Sequence, residues 1–337
     1  MTPRSLLANP RPWCIGRFVI DRPAASESGS EKYEFWGDKI KIEQNVSFQT
    51  FEHRVNTRES ELRSKRRTTS VSYQEKLARG LPSSLIQTDT PWLEQAVAPS
   101  RNSRLFFYKK SAEFPDELLD VESYVLAGTS MLSMTSVARP TGIQRSIAKR
   151  TDVYRHIAYR DDWTVPTEPG FCIRGALIGG PDRNSELVSQ NFNMVRGKLS
   201  LLTIDMRDAV EPDLQSSLLK TLPDLRRQLS SKGFGRYVSV LREGKRQLAG
   251  MEAEEVLFSI RDGGVQLYRF YLMAPGNPDT IAQPHTEIQF MLGSPLTAMD
   301  KSNGVTPEQK SSVVDEAGAI QVWDTLLNGM RLRPGAV

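Results

Sequence analysis

The sequence predicts an α+β fold of two domains, each an antiparallel β-sheet packed with helices, at residues 1–163 and 164–337. The first observation behind this prediction is length, because 337 residues exceed the roughly 100–200 residues of one ordinary domain. The second is the order of the elements: strand-like runs follow one another in groups, whereas a parallel sheet needs strands that alternate with helices.

Composition indicates a globular protein with enough apolar residues for proper cores, at 39% hydrophobic and 25% charged. The 44 basic and 40 acidic residues give +4 spread along the chain, so nothing points to nucleic acid. No apolar window reaches the ~18–20 residues that cross a bilayer. The start, MTPRSLLANPRPW, lacks the apolar core of a secretory signal, so the printed sequence is expected to stay in the cytoplasm unless a leader was removed.

In the first half, CIGRFVID and the alternating YEFWGDKIKIE at 33–43 predict a strand pair joined by the loop AASESGSEK. Apolar residues at helical spacing from Phe48 to Leu77 then predict one long helix, which Gly80 and Pro82 end. Strands at 104–110 and 121–137 follow, and a helix begins near Ile143.

The stretch DDWTVPTEPGF predicts an ordered linker between the domains, made of Pro166, Glu168, Pro169 and Gly170. Each proline fixes its own φ and biases the preceding residue towards extended geometry. We therefore expect a stiff crossing rather than a flexible one.

The second half repeats the plan. Strands at FCIRGALI and 200–208 precede a leucine-rich helix, or a pair of helices broken at Pro223, and four more strands follow. DGG at 262–264 predicts a tight hairpin turn. Thr306, Pro307 and Gln309 predict the start of a last helix that runs to Gly329.

The two cysteines lie 158 residues apart, close to half of the chain, and both follow an aromatic residue and precede Ile. Ancient duplication is a reasonable hypothesis, and it predicts matching strand orders in the two halves. Neither Cys14 nor Cys172 belongs to a CxxC pair, so zinc and redox motifs have no support. An even count fits one disulfide or two buried thiols.

Catalytic motifs are absent from the sequence. There is no G-x-S-x-G, and the histidines are His53, His156 and His285, which alone carry no geometry. The adjacent carboxylates Asp161/Asp162 and Glu254/Glu255 point in different directions in a helix or strand, which makes neither an acid/base couple. No metal or cofactor site is indicated, so binding is the default function by elimination.

Several segments resemble a known family. WCIGRFVIDRP, YEFWGDKI, the helix containing RESELRS and above all PTEPGFCIRGALI resemble the immunity proteins paired with type VI secretion lipase effectors of the fourth class. The stretch from LAGMEAEEV to QFMLG resembles their C-terminal domain. The resemblance spans nearly the whole chain, and PTEPGFC is its most specific element.

This resemblance implies a protein that is not an enzyme and uses no cofactor. It would bind a cognate secreted phospholipase in the periplasm, grip it between two domains and block its access to lipid. We expect a monomer when free and a heterodimer with the effector. The resemblance indicates no effector-contact residues, and the missing signal peptide departs from the family's location.

For the cysteines, the resemblance leaves two interpretations. Cys14 and Cys172 are either small buried thiols, each in its own domain core, or a disulfide across the domain junction. The family carries a cysteine at both places, and the periplasm is oxidising.

Two other functions are open. A two-domain periplasmic solute- or lipid-binding protein would show a large apolar pocket between the domains. An unrecognised hydrolase would need a histidine that meets a serine or cysteine and a carboxylate in space.

Overall fold

The computed structural model describes residues 2–110, 118–180, 185–211 and 214–337. These form two compact units. Unit 1 comprises Met1–Trp36, Asp161–Ile173 and Gly180–Val337, and unit 2 comprises Gly37–Arg160 and Arg174–Gly179. The units differ from the two halves of the sequence, because the first 36 residues belong to unit 1.

Strands outnumber helices in the described part of the chain. The N-terminal segment of unit 1 contains α1 (Pro3–Leu6), β1 (Pro10–Ile15), β2 (Phe18–Pro23) and β3 (Glu27–Phe35). Next come β4 (Asp38–Glu43), α2 (Phe48–Ser64), β5 (Arg66–Ser70), α3 (Tyr73–Arg79), β6 (Gln87–Pro91), β7 (Leu93–Ser100), β8 (Ser103–Tyr108), β9 (Leu119–Ala127), β10 (Ser130–Ala138), α4 (Ile143–Arg155) and β11 (Ile157–Tyr159). The remainder contains β12 (Gly170–Ile173), β13 (Ala176–Gly179), β14 (Glu186–Asn193), β15 (Ser200–Arg207), α5 (Leu218–Ser231), β16 (Val238–Leu248), β17 (Met251–Asp262), β18 (Val265–Ala274), β19 (His285–Leu292), α6 (Ala298–Ser302), α7 (Pro307–Lys310), α8 (Glu316–Asn328) and β20 (Arg331–Leu332).

Unit 2 contains an antiparallel sheet in the order β4-β10-β9-β8-β7, with a helix on each face. Phe51 and Val55 of α2 pack with Leu126 and Met131 on one face. On the other face, the cluster of Leu105, Phe107, Leu119 and Val121 packs against Ile143 and Ile147 of α4. Successive residues of a strand point to opposite faces of the sheet. Because helices cover both faces here, the residues that point to either face are apolar.

Unit 1 contains an antiparallel sheet in the order β16-β17-β18-β19-β15-β14-β3. On one face, Leu222 of α5 packs with Val256 and Phe258. On the other, the buried Trp323 of α8 lies with its ring 5.8 Å from that of Phe270. The predicted α+β class with antiparallel sheets is confirmed.

The two sheets share one strand order. In unit 2 the order β4-β10-β9-β8-β7 matches β15-β19-β18-β17-β16 in unit 1, strand for strand along each half of the sequence. A helix follows the first strand of each set, α2 after β4 and α5 after β15. Another follows the last strand, α4 after β10 and, beyond the short helices α6 and α7, α8 after β19. This correspondence supports the duplication hypothesis.

Two predicted elements of the first half have different limits in the structure. Most of the expected loop AASESGSEK is strand, because β3 begins at Glu27 and pairs with β14. The first six residues of β3 are polar residues and glycine, all exposed or half-buried, so they show no alternation of apolar and polar residues. The stretch 121–137 is two strands that turn at Gly128, where φ is +57°.

The predicted long helix to Leu77 is wrong, because α2 ends at Ser64. The five residues after Lys65, RRTTS, form β5, which pairs with β6. The sequence analysis predicted neither of these strands, and it also missed β7 and β14. Tyr73 and Leu77 belong to the separate helix α3 and are 71% and 67% exposed. Gly80 does end that helix, in the left-handed conformation that glycine tolerates.

In the second half, the turn prediction is confirmed: Gly263 and Gly264, both at positive φ, join β17 to β18. The leucine-rich helix α5 is continuous through Pro223. The capping box at Thr306 is confirmed, but it begins the four-residue helix α7. The helix that runs to Asn328 has its own N-cap, Asp315, which accepts a hydrogen bond from Gly318 N.

Candidate functional site

The predicted linker residues Pro166, Glu168, Pro169 and Gly170 lie within unit 1, whose second segment extends from Asp161 to Ile173. The chain passes between the units on either side of this segment, at 160/161 and 173/174. The linker segment is therefore packed into one unit rather than lying outside both.

Arg333, near the C-terminus, fixes this segment. Its side chain is fully buried, and its guanidinium donates hydrogen bonds of 2.7 Å to the carbonyl oxygens of Pro166, Glu168 and Gly170. Hydrogen bonds from a charged donor are stronger than those between neutral groups. The extended backbone that the prolines favour leaves these carbonyls unpaired by the segment itself, so a side chain from elsewhere satisfies them.

Gly335 brings the C-terminal tail against the same segment. Its φ is +70°, and a Cβ at this position would lie 2.4 Å from the carbonyl oxygen of Thr167. The next residue, Ala336, accepts a hydrogen bond of 3.2 Å from Gly170 N. Only glycine allows both this conformation and this approach.

Cys14 and Cys172 form a disulfide, with their Cα atoms 5.9 Å apart. Both are buried, and both belong to unit 1. Backbone hydrogen bonds flank the bond: Gly16 N donates to Cys172 O at 3.0 Å, and Cys172 N donates to Gly16 O at 2.7 Å. The structure thus differs from the interpretation of two thiols in separate domain cores.

Arg17, which is buried, and Glu186, which is partly buried, form an ion pair close to the disulfide in the chain. The Arg17 Nη2 lies 2.6 Å from Glu186 Oε1, and its side chain is 2% exposed. Arg17 also donates to the carbonyl oxygens of Ala336 and Gly180. Burial raises the pKa of Glu186 against the lowering effect of the Arg17 hydrogen bond. The pair borders a cavity of about 480 Å³ with polar and apolar walls.

Aromatic rings surround a third buried arginine, Arg22. The guanidinium carbon of Arg22 lies 4.1 Å from the ring centroid of Trp13, 4.4 Å from that of Trp163 and 4.7 Å from that of Phe192. Trp13 Nε1 donates to Gln190 Oε1 at 2.9 Å. Cation–π contacts are strongest when they are desolvated, so these contacts and the edge-to-face packing of Trp13 against Trp163 fix Trp163 at the approach to the linker segment.

Glu254 and Glu255 face opposite sides of β17, as their adjacency predicts. Glu254 accepts hydrogen bonds from Ser217 Oγ and Leu219 N at the start of α5. Glu255, which is buried, lies 2.7 Å from Arg242 and 3.1 Å from Arg246, and accepts from Trp323 Nε1 of α8 at 3.0 Å. Each carboxylate therefore positions one helix and does not form an acid/base couple with its neighbour.

The histidines do not assemble a nucleophilic site among the described residues. His53 lies in α2, and His156 follows α4, with Nδ1 3.0 Å from the carbonyl oxygen of Asp152. His285 is buried and its Nε2 lies 2.9 Å from Glu287 Oε1. Among the described residues, none of the three histidines forms a hydrogen bond with a serine, and both cysteines are in the disulfide.

Within the described ranges, no group of three or more histidine, cysteine or acidic side chains could hold a metal ion. The helices of the same ranges include none that is both long and apolar enough to span a bilayer.

The positions that sequence interpretation missed are Arg17, Glu186 and Arg333. Only the Pro-Gly pair after Arg333 signalled an ordered tail.

Comparisons with known proteins agree with this architecture. The model of the family described as Tle cognate immunity protein 4 N-terminal domain matches residues 11–161. The model described as Tle cognate immunity protein 4 C-terminal domain matches residues 164–335. No curated protein matches the chain.

Solved structures of similar fold include three immunity-protein structures. The apo immunity protein TplEi of the T6SS from Pseudomonas aeruginosa has a TM-score of 0.78 at 18% identity and covers 97% of this chain and 98% of its own. The Tle4–Tli4 complex has a TM-score of 0.78 at 20% identity, and the match covers 96% of this chain and 98% of the other. TplEi complexed with the "L" peptide has a TM-score of 0.74 at 18% identity, and the match covers 97% of this chain and 99% of the other. At these identities the likeness shows a shared fold.

Proposed function

The chain belongs to the Tle cognate immunity protein 4 family, and we propose that it binds and inhibits a cognate type VI secreted lipase effector. One observation carries this proposal: the N-terminal and C-terminal family models together account for nearly the whole chain, residues 11–161 and 164–335. The relative TplEi is described as an immunity protein of the T6SS, and Tli4 occurs in complex with Tle4. The role is that of an inhibitor that works by binding rather than by catalysis.

We further propose that the effector is gripped between the two domains, so that lipid substrate cannot reach it. The internal order of unit 1 supports this mechanism. The disulfide, the Arg17–Glu186 pair and the three Arg333 hydrogen bonds hold segments that are far apart in sequence. A binding surface that is already ordered loses less conformational entropy when the partner binds. The free protein would be monomeric, and the complex a heterodimer.

We propose a periplasmic location, where a secreted phospholipase would meet membrane lipid. The disulfide supports this location, because such bonds form and persist in oxidising compartments. A leader would then direct the mature chain across the inner membrane.

Co-expression with the lipase encoded beside it tests the proposal. The lipase is exported to the periplasm with this protein exported, retained in the cytoplasm, or absent. We expect growth rescue and co-purification only when both are exported. An unrelated exported lipase of equal toxicity serves as the control, and it should be neither bound nor neutralised. A folded, exported protein that gives neither rescue nor co-purification would contradict the proposal and favour the two-domain solute- or lipid-binding alternative.

A further inference from the structure

Helix α5 covers its face of the unit 1 sheet incompletely, and an apolar groove of about 400 Å³ lies between helix and sheet. The helix presents Leu218, Leu222, Leu225 and Leu229 at helical spacing, yet only Leu222 is buried. Leu225 is 39% exposed although it lines the groove. An amphipathic helix on a sheet normally buries its whole apolar stripe. The groove is therefore apolar space that the protein's own described side chains leave open.

The sheet side of the groove is equally apolar. Val256, Phe258 and Ile260 of β17 supply it, and they alternate with residues that face α8. Ligand pockets usually measure about 300–1,000 Å³ and combine apolar walls with a few polar groups that fix orientation. This groove has that size and composition.

Arg269 is the only charged residue that lines the groove among the described residues. Its Nη1 donates to the carbonyl oxygens of Tyr268 at 2.7 Å and Leu292 at 2.9 Å, and its Nη2 donates to that of Gly293 at 2.9 Å. A guanidinium has five N–H donors, so one on Nε and one on Nη2 have no partner in the described part of the chain. These two form an edge that can bind a carboxylate in bidentate fashion.

Arg269 also has no acidic partner among the residues that the structure describes. No carboxylate of the described residues lies within ion-pair distance of it, unlike Arg242 and Arg246 on β16. Burial lowers the pKa of Arg269, but a guanidinium remains protonated in proteins. A half-buried cation without a counter-charge favours an anionic ligand.

We propose that this groove binds a fatty acid, with the acyl chain between α5 and β17 and the carboxylate on Arg269. A peptide segment fits less well, because it would bring backbone N–H and C=O groups onto a face that offers them few partners. An acyl chain has no polar group along its length. The site is separate from effector inhibition, although phospholipid hydrolysis is a reaction class that releases this ligand.

Calorimetric titration of the full-length protein with dodecanoate, below its micelle concentration, tests the site. We expect one molecule bound per chain. Arg269→Gln should weaken binding about tenfold to a hundredfold, because a charge-assisted hydrogen bond is lost. Arg261→Gln is the matched control: Arg261 lies on β17, bonds to Gln266 and does not line the groove. Dodecanol, which lacks the charge, should bind wild type more weakly by a similar factor.

A second variant addresses the apolar half of the site. Leu225→Asp places a carboxylate in the groove at an exposed position, and Leu214→Asp, at a residue that is 71% exposed and outside the groove, is its control. Both should fold, and only the first should abolish dodecanoate binding. Failure of wild type to bind, or equal binding of dodecanoate by wild type and Arg269→Gln, would overturn the proposal. Weakened effector binding by Leu225→Asp without any dodecanoate binding would also overturn it and assign the groove to the effector.

Discussion

The guanidinium of Arg333 donates a hydrogen bond of 2.7 Å to the carbonyl oxygen of Glu168, which is 165 residues earlier in the chain. This contact ties the C-terminal tail to the PTEPGFC segment. It also helps to explain how a segment with two prolines remains ordered inside unit 1: one buried side chain supplies the partners of three of its carbonyl groups.

Replacing Arg333 by Met should lower the free energy of unfolding by about 3 kcal/mol or more, because three carbonyl oxygens lose a charged donor. Urea unfolding followed by circular dichroism measures the change. Arg331→Met is the matched control, since Arg331 is half-exposed and pairs with Asp21 at the surface; its loss should be below about 1 kcal/mol. Equal losses for the two variants would contradict the role given to Arg333.

Gly335→Ala tests the close approach of the tail. The added methyl would meet Thr167 O at 2.4 Å, which adds a clash to the strain of a residue at φ +70°. Gly304→Ala has nearly the same strain, at φ +72°, with no atom within 4 Å of the added methyl. We expect the Gly335 variant to lose at least about 1 kcal/mol more than the Gly304 variant. Thermal unfolding of the two variants side by side gives the difference, and similar values would argue against a tight contact.

The disulfide should be the largest single contribution to stability. It closes a loop of 158 residues, for which the chain-entropy relation gives about 5 kcal/mol. Unfolding in urea with and without reductant should differ by about this amount, and the Cys14→Ser/Cys172→Ser variant should match the reduced protein. The unfolded wild type should resist thiol alkylation until reductant is added. Immediate labelling of both cysteines would show that the bond does not form in solution.

Glu255→Gln and Glu254→Gln should have distinct effects because the two carboxylates face opposite sides of β17. Loss of the buried Glu255 charge beside two arginines should lower the free energy of unfolding by about 3–5 kcal/mol. Loss of the Glu254 charge at the start of α5 should lower it by only about 1 kcal/mol. Hydrogen exchange separates them further: Glu254→Gln should increase exchange at Leu219 and Lys220 locally. Equal global effects would contradict the separate roles.

Asp324 should make stability depend on pH in the acid range. Burial alone would raise the pKa of Asp324, but hydrogen bonds from Arg242 and Arg246 outweigh it and hold the pKa below its usual range. A carboxyl whose folded pKa is lowered stabilises the protein above its unfolded pKa of about 3.9, and this stabilisation is lost as pH falls through the folded pKa.

Asp324→Asn should therefore lower the free energy of unfolding by up to about 1 kcal/mol at pH 6, a figure that allows for solvent screening of a side chain one-third exposed. The difference from wild type should shrink towards pH 3. Urea unfolding between these limits measures it. Asp152→Asn, at an exposed residue of α4, is the control for the substitution itself. If the difference in free energy of unfolding between wild type and Asp324→Asn does not change with pH, the ion-pair role of Asp324 is contradicted.

Much of the fold follows from local patterns. Alternation predicted the strands at 33–43 and in the run from 254 to 292, and two glycines at 263–264 predicted the hairpin turn that the structure contains. Residues 27–32, the first part of β3, escaped prediction because they are polar residues and glycine and because their partner, β14, lies some 160 residues later in the chain. The end of α2 and the start of β5 escaped because helical spacing persisted by chance through Tyr73 and Leu77, which are exposed.

The sequence by itself determined the fold class and the two cysteines as features to explain, since local periodicity and motif spacing are properties of neighbouring residues. It indicated the family through the resemblance of several segments. Only the tertiary structure decided that both cysteines lie in one compact unit, that Arg333 anchors Pro166 and Glu168, and that Arg269 lies beside an apolar groove with no carboxylate of the described residues at ion-pair distance. Each of these relationships joins residues that are distant along the chain, and they meet only when hydrophobic burial and strand pairing bring their segments together.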